Sequence, residues 1–303
     1  MERFTTIAGL RSRLATERAG GRRVALVPTM GALHAGHLAL VRLAATRAEV
    51  VVVTVFVNPT QFDRPDDLAA YPRDLAGDEA ALAGLGLTTP LVVFAPDATE
   101  MYPRPPRTTV SVAGVGDHLC GASRPGHFDG VATVVTKLLH IVGPEVAVFG
   151  RKDRQQLQLI RQLCTDLDLP VAVVAGPTVR EADGVALSSR NRRLDAEARE
   201  VARALPLALR AAALAARDAR ATGRPWRVGE LRAAAAAELT HPGLRLDYLE
   251  VVDPDTMAPL ADEAAGEHAV VAVAAHLGEV RLIDNVEVGD HADEDALLAA
   301  TGG

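Results

Sequence analysis

Apolar and polar positions alternate along the first 180 residues in blocks whose lengths fit strands and helices in turn. The β-branched run VVVVTVFV at 50–57 has no polar alternation, which is typical of a strand buried on both faces. Similar short runs occur in RRVALVP, PLVVFAP, EVAVFG and PVAVVAG, and helix-length segments separate them. Such alternation builds a parallel sheet through right-handed crossovers. The pattern therefore predicts an α/β fold with a doubly wound parallel sheet.

The pattern changes from about residue 179 onward. A long Ala/Arg segment at 194–223 has helical periodicity, and we expect a break at Pro206. RLDYLEVVD and the pair HAVVAVAAHL and VRLIDNVEV predict antiparallel strands, the last two joined by a tight turn. The sequence thus predicts a first domain over 1–178, a smaller α+β C-terminal domain over 179–290 and a flexible tail over 291–303.

Composition excludes several classes of protein. The 303 residues carry a formal net charge of −7, so no basic surface indicates a nucleic-acid partner. No apolar stretch approaches the roughly 20 residues of a membrane span, and the N-terminal segment has no signal core. The two cysteines, Cys120 in a predicted loop and Cys164 in a predicted helix, indicate neither a disulfide framework nor a zinc site. We therefore expect a cytoplasmic protein without a membrane or nucleic-acid partner.

The stretch PTMGALHAGHLALV at 28–41 places His34 and His37 where the first predicted strand passes into a helix. Ligands of open α/β sheets bind at this end of the strands, and a helix N-terminus favours anions. Gly31 and Gly36 allow close approach of a nucleotide, and imidazoles three residues apart share one helix face. Two surface histidines with no ligand are the structural alternative. The position in the sheet favours nucleotide binding.

Three more polar stretches lie at the same end of the predicted sheet. FVNPTQF brings Gln61 after the second strand, and GRKDRQQ brings Lys152 and Gln156 after EVAVFG. Lys152 and Lys137 are the only lysines among 32 basic residues, and Lys137 lies mid-helix in an apolar stretch. GVALSSRN supplies a hydroxyl–hydroxyl–guanidinium group at Ser188–Arg190, which suits phosphate oxygens. Ordinary turns and helix starts are the alternative interpretation of each stretch taken alone.

Taken together, these motifs resemble a known family. HAGH fits the H-x-G-H signature of the adenylyl-transferring α/β superfamily that includes class I aminoacyl-tRNA synthetases. The ordered set PTMGALHAGHLALV, FVNPTQF, YPRDL, GHFDGV, KDRQQL, PTVREADGVALSSRN and DYLEVVD is similar to the pantothenate synthetases, or pantoate–β-alanine ligases, over residues 22–285. The resemblance implies a Rossmann-like nucleotide domain with a smaller C-terminal lid, and a homodimer.

The resemblance also implies site residues. Catalytic groups near the ATP phosphates are His34, His37, Lys152, Ser188, Ser189 and Arg190. Further ATP contacts are Met30, Gly31, Ala32, Leu33, Ala35, Gly36, Gly150, Arg151, Asp153, Val179 and Leu187. Pantoate is bound by Gln61 and Gln156, with Gln61 also toward β-alanine, and its pocket is walled by His127, Val131 and Val134.

The implied reaction joins pantoate to β-alanine through an enzyme-bound pantoyl adenylate, with ATP as substrate and Mg²⁺ accompanying it. Asp78 is a secondary candidate for Mg²⁺, since only Asp78 and Glu79 remain of the family's acidic cluster. Arg151 and Arg154 also depart from the family pattern and add positive charge beside the expected ATP site. Two other functions stay open: a nucleotidyltransferase that stops at an adenylated product, and a nucleotide-binding module without catalysis.

Overall fold

The computed structural model describes residues 1–62 and 65–302, and the chain divides into two compact units. The first unit comprises Met1–Gly116, Cys120–Arg151 and Leu159–Gly176. The second runs from Pro177 to the end of the described chain and also includes Asp117–Leu119 and Lys152–Gln158. The expected boundary at residue 178 assigns these two short segments to the first domain, so the observed division is less simple than one cut in the chain.

The first unit is built on a six-stranded sheet in the order β1-β4-β3-β2-β5-β6, and every neighbouring pair is parallel. β2 and β3 carry almost unbroken buried runs, as strands covered on both faces require. This confirms the predicted α/β class. The strands are β1 (Glu2–Phe4), β2 (Val24–Thr29), β3 (Val50–Val55), β4 (Leu91–Phe94), β5 (Val146–Gly150) and β6 (Ala172–Gly176).

Helices connect these strands, and α2 packs its apolar side chains Leu40, Val41 and Ala44 against the sheet. The longest helix of the first unit, α7, buries ten residues and ends at Gly143 in the left-handed conformation that terminates helices. The helices up to residue 166 are α1 (Ile7–Ala19), α2 (Ala35–Ala45), α3 (Pro65–Ala69), α4 (Leu75–Ala83), α5 (Ala98–Met101), α6 (Cys120–Ser123), α7 (His127–Val142) and α8 (Arg154–Asp166).

The second unit contains an antiparallel sheet in the order β11-β10-β8, and helices cover it. β10 and β11 are joined by a two-residue turn in which Gly278 has a φ of +57°, which confirms the predicted hairpin. Its elements are α9 (Ala196–Ala202), α10 (Ala204–Ala221), β7 (Trp226–Arg227), α11 (Val228–Ala236), β8 (Arg245–Val252), β9 (Ala265–Gly266), β10 (Ala269–Leu277), β11 (Val280–Val288) and α12 (His291–Thr301).

Two expectations for this unit need correction. The helix break lies at Arg203 rather than at Pro206, because a proline in the first turn of α10 costs no intrahelical hydrogen bond. The segment expected as a flexible tail forms helix α12, which Asp290 caps and in which Leu297 is buried. Its Glu294 is fully buried and accepts hydrogen bonds from Arg217 and Arg220.

Cys120 lies in α6 and Cys164 in α8, and both are buried thiols outside any disulfide. The loop predicted at Cys120 is therefore a short helix. Over the described parts of the chain, every helix is too short or too polar to cross a bilayer.

Candidate active site

The loop after β2 adopts a conformation that only a few residue types accept easily. Gly31 has a φ of +82° and Ala32 a φ of +51°. The carboxylate of Asp78 in α4 accepts hydrogen bonds from the backbone N–H of Ala32 (3.1 Å) and of Leu33 (2.6 Å). A Cβ at Gly31 would lie 2.8 Å from Asp78 Oδ2, so glycine is required for this approach. The loop is therefore fixed by one buried carboxylate.

Asp78 thus has a role that the sequence analysis missed. Both of its oxygens face main-chain amides of the loop, and the residue is buried. Among the residues that the structure describes, no group of three His, Cys, Asp or Glu side chains is placed to hold a metal ion. The contacts of Asp78 therefore favour support of the loop over ligation of Mg²⁺. The distance of 45 residues between Asp78 and Leu33 leaves no local signal for this contact.

His34 and His37 meet at the start of α2. His34 is the N-cap, and its Nδ1 accepts from the backbone N–H of Gly36 at 3.2 Å, so the neutral ring carries its proton on Nε2. The two ring centroids are 4.1 Å apart. A Cβ at Gly36 would lie 2.9 Å from His34 Cε1, which explains the glycine between the histidines. The result is a pair of imidazoles at a helix N-terminus, where an anion is favoured.

Gln61 ends a 3-10 turn, Pro59–Gln61, that follows β3. Its side chain is buried and contacts two groups: Asn58 Nδ2 donates to Gln61 Oε1 at 3.0 Å, and Gln61 Nε2 lies 3.2 Å from Met30 Sδ. The structure therefore brings Gln61 beside Met30, the first residue of the predicted ATP loop. The buried Asn58, which the sequence analysis did not assign, is the link that holds it.

Helix α7 supplies the other residues predicted for the pantoate pocket. His127 Nδ1 donates to the backbone carbonyl of Gln61 at 2.8 Å, and Val131 and Val134 are buried on the same helix. A Cβ at Gly130 would lie 2.4 Å from the carbonyl oxygen of Thr60. Because only a glycine permits this approach, α7 packs directly against the turn that carries Gln61. The first unit thus assembles Met30, Gln61 and His127.

In the second unit, Lys152 lies in a 3-10 turn, Arg151–Asp153, and its backbone carbonyl accepts from Asn285 Nδ2 at 2.9 Å. Asp153 ends that turn, and Gln156 lies in the first turn of α8. Arg154 is 6% exposed and pairs with Glu287 at 2.6 Å. Its charge is therefore balanced within the unit, which corrects the expectation that Arg154 adds positive charge beside the ATP site.

The segment from Val179 to Arg190 folds back on itself. The backbone N–H of Leu187 donates to the carbonyl of Val179 at 2.9 Å, and the segment is anchored by a buried ion pair, Arg180 with Asp284, at 2.6 Å. Ser188 caps the 3-10 turn Ser189–Arg193 by accepting from the backbone N–H of Arg190 at 3.3 Å, which leaves its hydroxyl proton available to donate.

Lys152 and Ser188 are brought together in the second unit. Both line a cavity of ≈ 10 Å³ with Asp284, Ala186 and apolar side chains. Two predicted site residues from separate motifs of the chain therefore line one cavity. The remaining predicted residues, Gly150 at the end of β5 and Arg151 after it, belong to the first unit.

The comparisons with known proteins agree with these motifs. The family model described as pantoate-beta-alanine ligase matches residues 2–287. The pantothenate synthetase of Myxococcus xanthus is 50% identical over 285 residues, which cover 94% of this chain and 95% of that protein. The pantothenate synthetase of Chelativorans is 51% identical over 290 residues, which cover 95% of this chain and 98% of that protein.

Solved structures agree as well. The pantothenate synthetase of Thermus thermophilus superposes with a TM-score of 0.84 at 46% identity, over 95% of this chain and 99% of that one. A pantoate-beta-alanine ligase from Francisella tularensis, solved in complex with beta-gamma ATP and β-alanine, gives a TM-score of 0.71 at 31% identity, over 94% and 97% of the two chains. The resemblance seen in the sequence is confirmed, and the chain belongs to the pantoate-beta-alanine ligase family.

Proposed function

We propose that this chain condenses pantoate with β-alanine at the expense of ATP, and releases AMP and pyrophosphate. The observation that carries the proposal is the family match over residues 2–287, together with the ATP and β-alanine ligands of the Francisella relative. The protein is an enzyme of the ligase class, and the family match favours this reaction over that of a nucleotidyltransferase.

The first step activates the acid. The pantoate carboxylate attacks the α-phosphorus of ATP, the bond to the β-phosphate breaks, and pyrophosphate leaves with the electron pair. We assign His34 Nε2 and His37 to donate hydrogen bonds to the phosphate oxygens, where preorganised donors stabilise the developing charge. Lys152, Ser188, Ser189 and Arg190 are assigned to the same phosphates. Met30–His37, Gly150–Asp153, Val179 and Leu187 complete the proposed ATP contacts.

The second step forms the amide. The amine of β-alanine attacks the acyl carbon of pantoyl adenylate, and AMP leaves with the electrons of the acyl–oxygen bond. Gln61 and Gln156 hold pantoate in this proposal, and His127, Val131 and Val134 form its pocket. Neither step needs a covalent nucleophile on the protein. Positioning and charge stabilisation suffice.

Mg²⁺ accompanies ATP in this proposal, but the described residues do not form a protein cage for it. The oxygens of Asp78 are bound to loop amides, and no cluster of three ligating side chains occurs in the described ranges. Mg²⁺ commonly binds substrate phosphates with few protein ligands, so we place it with the nucleotide and assign no protein ligand.

The decisive experiment measures pyrophosphate and AMP from ATP and pantoate, with and without β-alanine. We expect pyrophosphate in an amount equal to the enzyme without β-alanine, and continuous AMP release with it. Pyrophosphate release that continues without any amine would favour the nucleotidyltransferase, and ATP binding without turnover would favour a non-catalytic module. A cytoplasmic location and a homodimeric state complete the proposal, and light scattering of the purified protein tests the second.

A further inference from the structure

The side-chain amide of Asn58 has only one orientation that satisfies its neighbours. The backbone N–H of Thr60 lies 3.4 Å from Asn58 Oδ1, and a backbone N–H can only donate. On the other side, Asn58 Nδ2 lies 3.1 Å from the backbone carbonyl of Gly130, which can only accept. Two main-chain groups therefore fix independently which end of this buried amide is oxygen and which is nitrogen.

Tyr102 reinforces that orientation. Its hydroxyl donates to Asn58 Oδ1 at 2.9 Å, and the Thr60 hydroxyl donates to the same oxygen at 3.0 Å. The Lys137 ammonium lies 5.4 Å from the centroid of the Tyr102 ring, within the range of a cation–π contact. Burial raises the pKa of Tyr102, so its hydroxyl keeps the proton that it donates. Lys137, the lysine without a place in the predicted site, thus contacts the ring that holds Asn58.

The orientation of Asn58 in turn sets that of Gln61. Asn58 Nδ2 donates at 3.0 Å to the Gln61 side chain, so the atom that it meets is the carbonyl oxygen Oε1. The NH₂ group of Gln61 consequently lies on the other side, 3.2 Å from Met30 Sδ. A thioether sulfur is a weak acceptor. An oxygen of a bound substrate therefore competes well for these N–H groups.

We propose that Tyr102 is a positioning residue which acts through Asn58 to turn the side-chain NH₂ group of Gln61, rather than its carbonyl oxygen, toward an acceptor oxygen of pantoate. Gln61 Oε1 accepts from Asn58, and the main chain of Gln61 is held by His127 and by the close approach of Gly130. The specificity of this part of the pocket is therefore for a substrate oxygen with free lone pairs. The inference rests on the proposed function, because it assigns the donor to pantoate.

The first test changes the donor itself. In Gln61→Glu, one carboxylate oxygen still accepts from Asn58, but the other faces the substrate as an acceptor with negative charge. We expect the KM for pantoate to rise at least about 10-fold at pH near 8, because an unpaired charged contact is costly. Burial raises the pKa of a carboxyl group, and its protonation restores an O–H donor, so the ratio of variant to wild-type KM should fall toward pH 6.

Gln61→Ala is the matched control, since it lacks both donor and acceptor and its ratio to wild type should not change with pH. A Gln61→Glu variant whose KM ratio is equally flat would overturn the inference. This measurement separates donor orientation from general support of the pocket, because a purely structural role of Gln61 gives no such recovery in acid.

The second test removes the hydroxyl of Tyr102. Tyr102→Phe keeps the ring beside Lys137 but leaves Asn58 Oδ1 with one donor fewer, and we expect the KM for pantoate to rise about 5-fold, the scale of one hydrogen bond. The KM for ATP should not change. Tyr248→Phe in β8 of the second unit removes a tyrosine hydroxyl elsewhere and should leave both values unchanged.

Equal effects of Tyr102→Phe on pantoate and on ATP would contradict a positioning role. The wild-type enzyme is assayed first with ATP, pantoate and β-alanine. If it forms no pantothenate, the proposed function fails. If it is active and the Gln61 and Tyr102 variants behave like their controls, only the inference fails.

Discussion

The two units hold their proposed phosphate-binding segments by different physical means. In the first unit, the loop from Met30 to His37 is fixed by hydrogen bonds between main-chain amides and the carboxylate of Asp78. Positive φ angles at Gly31 and Ala32 shape the same loop. Only one charged side chain takes part in these contacts, and its partners are neutral.

In the second unit, charge pairs hold the segment from Val179 to Arg190. Arg180 pairs with Asp284, and Arg199 pairs with both Asp183 and Glu181. Fixed charges hold long side chains in one geometry but require that every partner stays present and ionised. The comparison teaches that the first loop depends on backbone conformation, whereas the second segment depends on charge balance. The loop and the segment should therefore be disrupted by different kinds of substitution.

The largest effect is expected from Arg180→Met. Asp284, whose side chain is 2% exposed, would remain buried without its guanidinium partner, which costs about 3–5 kcal/mol of unfolding free energy. Urea denaturation measures the loss. The double variant Arg180→Met/Asp284→Leu removes both charges and should recover most of it. Equal losses in the single and double variants would show that charge balance is not what holds this segment.

Asp78→Ala is the corresponding change in the first unit. Two main-chain N–H groups would lose their acceptor, which costs about 3 kcal/mol in total, and we expect the KM for ATP to rise with it. Thermal unfolding and ATP kinetics measure the two effects. Glu79→Ala is the matched control, because the neighbouring Glu79 pairs only at the surface with Arg3 at 3.4 Å. If Asp78→Ala lost little stability and kept its KM for ATP, the backbone conformation alone would be sufficient to hold the loop.

Substitution of the side chains proposed for catalysis should lower the reaction rate without lowering the stability of the fold. We expect His37→Ala in the first unit and Lys152→Arg in the second to lower pantoyl-adenylate formation about 100-fold, the effect of losing one preorganised group. Lys152 is held through its main-chain carbonyl, so its side chain can change without loss of the fold. Pyrophosphate release measures the rate, and thermal unfolding should be unchanged. Rates near wild type would remove these side chains from the proposed mechanism.

Gly31 and Gly114 allow a closely matched test of backbone control. Both have a φ of +82°, but a Cβ at Gly31 would lie 2.8 Å from Asp78 Oδ2, whereas nothing lies within 4 Å at Gly114. Alanine at Gly114 should cost about 1 kcal/mol from the left-handed conformation alone. Alanine at Gly31 should cost about 2 kcal/mol or more, measured by thermal unfolding, because the left-handed cost and the displacement of Asp78 add. Equal costs would mean that Asp78 moves away freely.

The smallest effect is expected in the thermal stability of the fold at acidic pH. Burial raises the pKa of Asp183, but hydrogen bonds from Arg199 and from the backbone of Val185 outweigh it and leave the pKa below its ordinary value. A carboxylate with a lowered pKa stabilises the fold above its unfolded pKa and loses that contribution as the pH falls through its folded value. The melting temperature should therefore fall more steeply below about pH 4 in the wild type than in Arg199→Gln. Parallel curves would contradict this.

The elements with continuous apolar runs were predictable from sequence because burial on both faces leaves a clear pattern. This holds for β2, β3 and the hairpin of β10 and β11. β1 has three residues and pairs only with β4, while β7 and β9 have two residues each. Strands of two or three residues are too short to show an alternation of apolar and polar positions. Only their pairing with other strands defines them.

The residues of the candidate site also divide into those that the sequence predicts and those that it does not. Side chains at strand ends, such as His34, Gln61 and Lys152, follow from chain position and motif spacing. The residues that support them do not, since Asp78 and Tyr102 reach their partners across more than 40 positions of the chain. A supporting contact of this kind has no local pattern, because the partner is chosen by the packing of separate elements.

Helix α12 has a practical consequence for work with this enzyme. Gly184 precedes the Ser188–Arg190 segment, and a Cβ there would lie 2.9 Å from Thr301 Cγ2, so the end of α12 packs against that turn. Removal of residues from 291 onward would also leave Arg217 and Arg220 without the Glu294 carboxylate. An affinity tag fused behind this helix would therefore lie close to the turn that precedes the proposed phosphate-binding segment. The exposed Met1 is the better place to attach one.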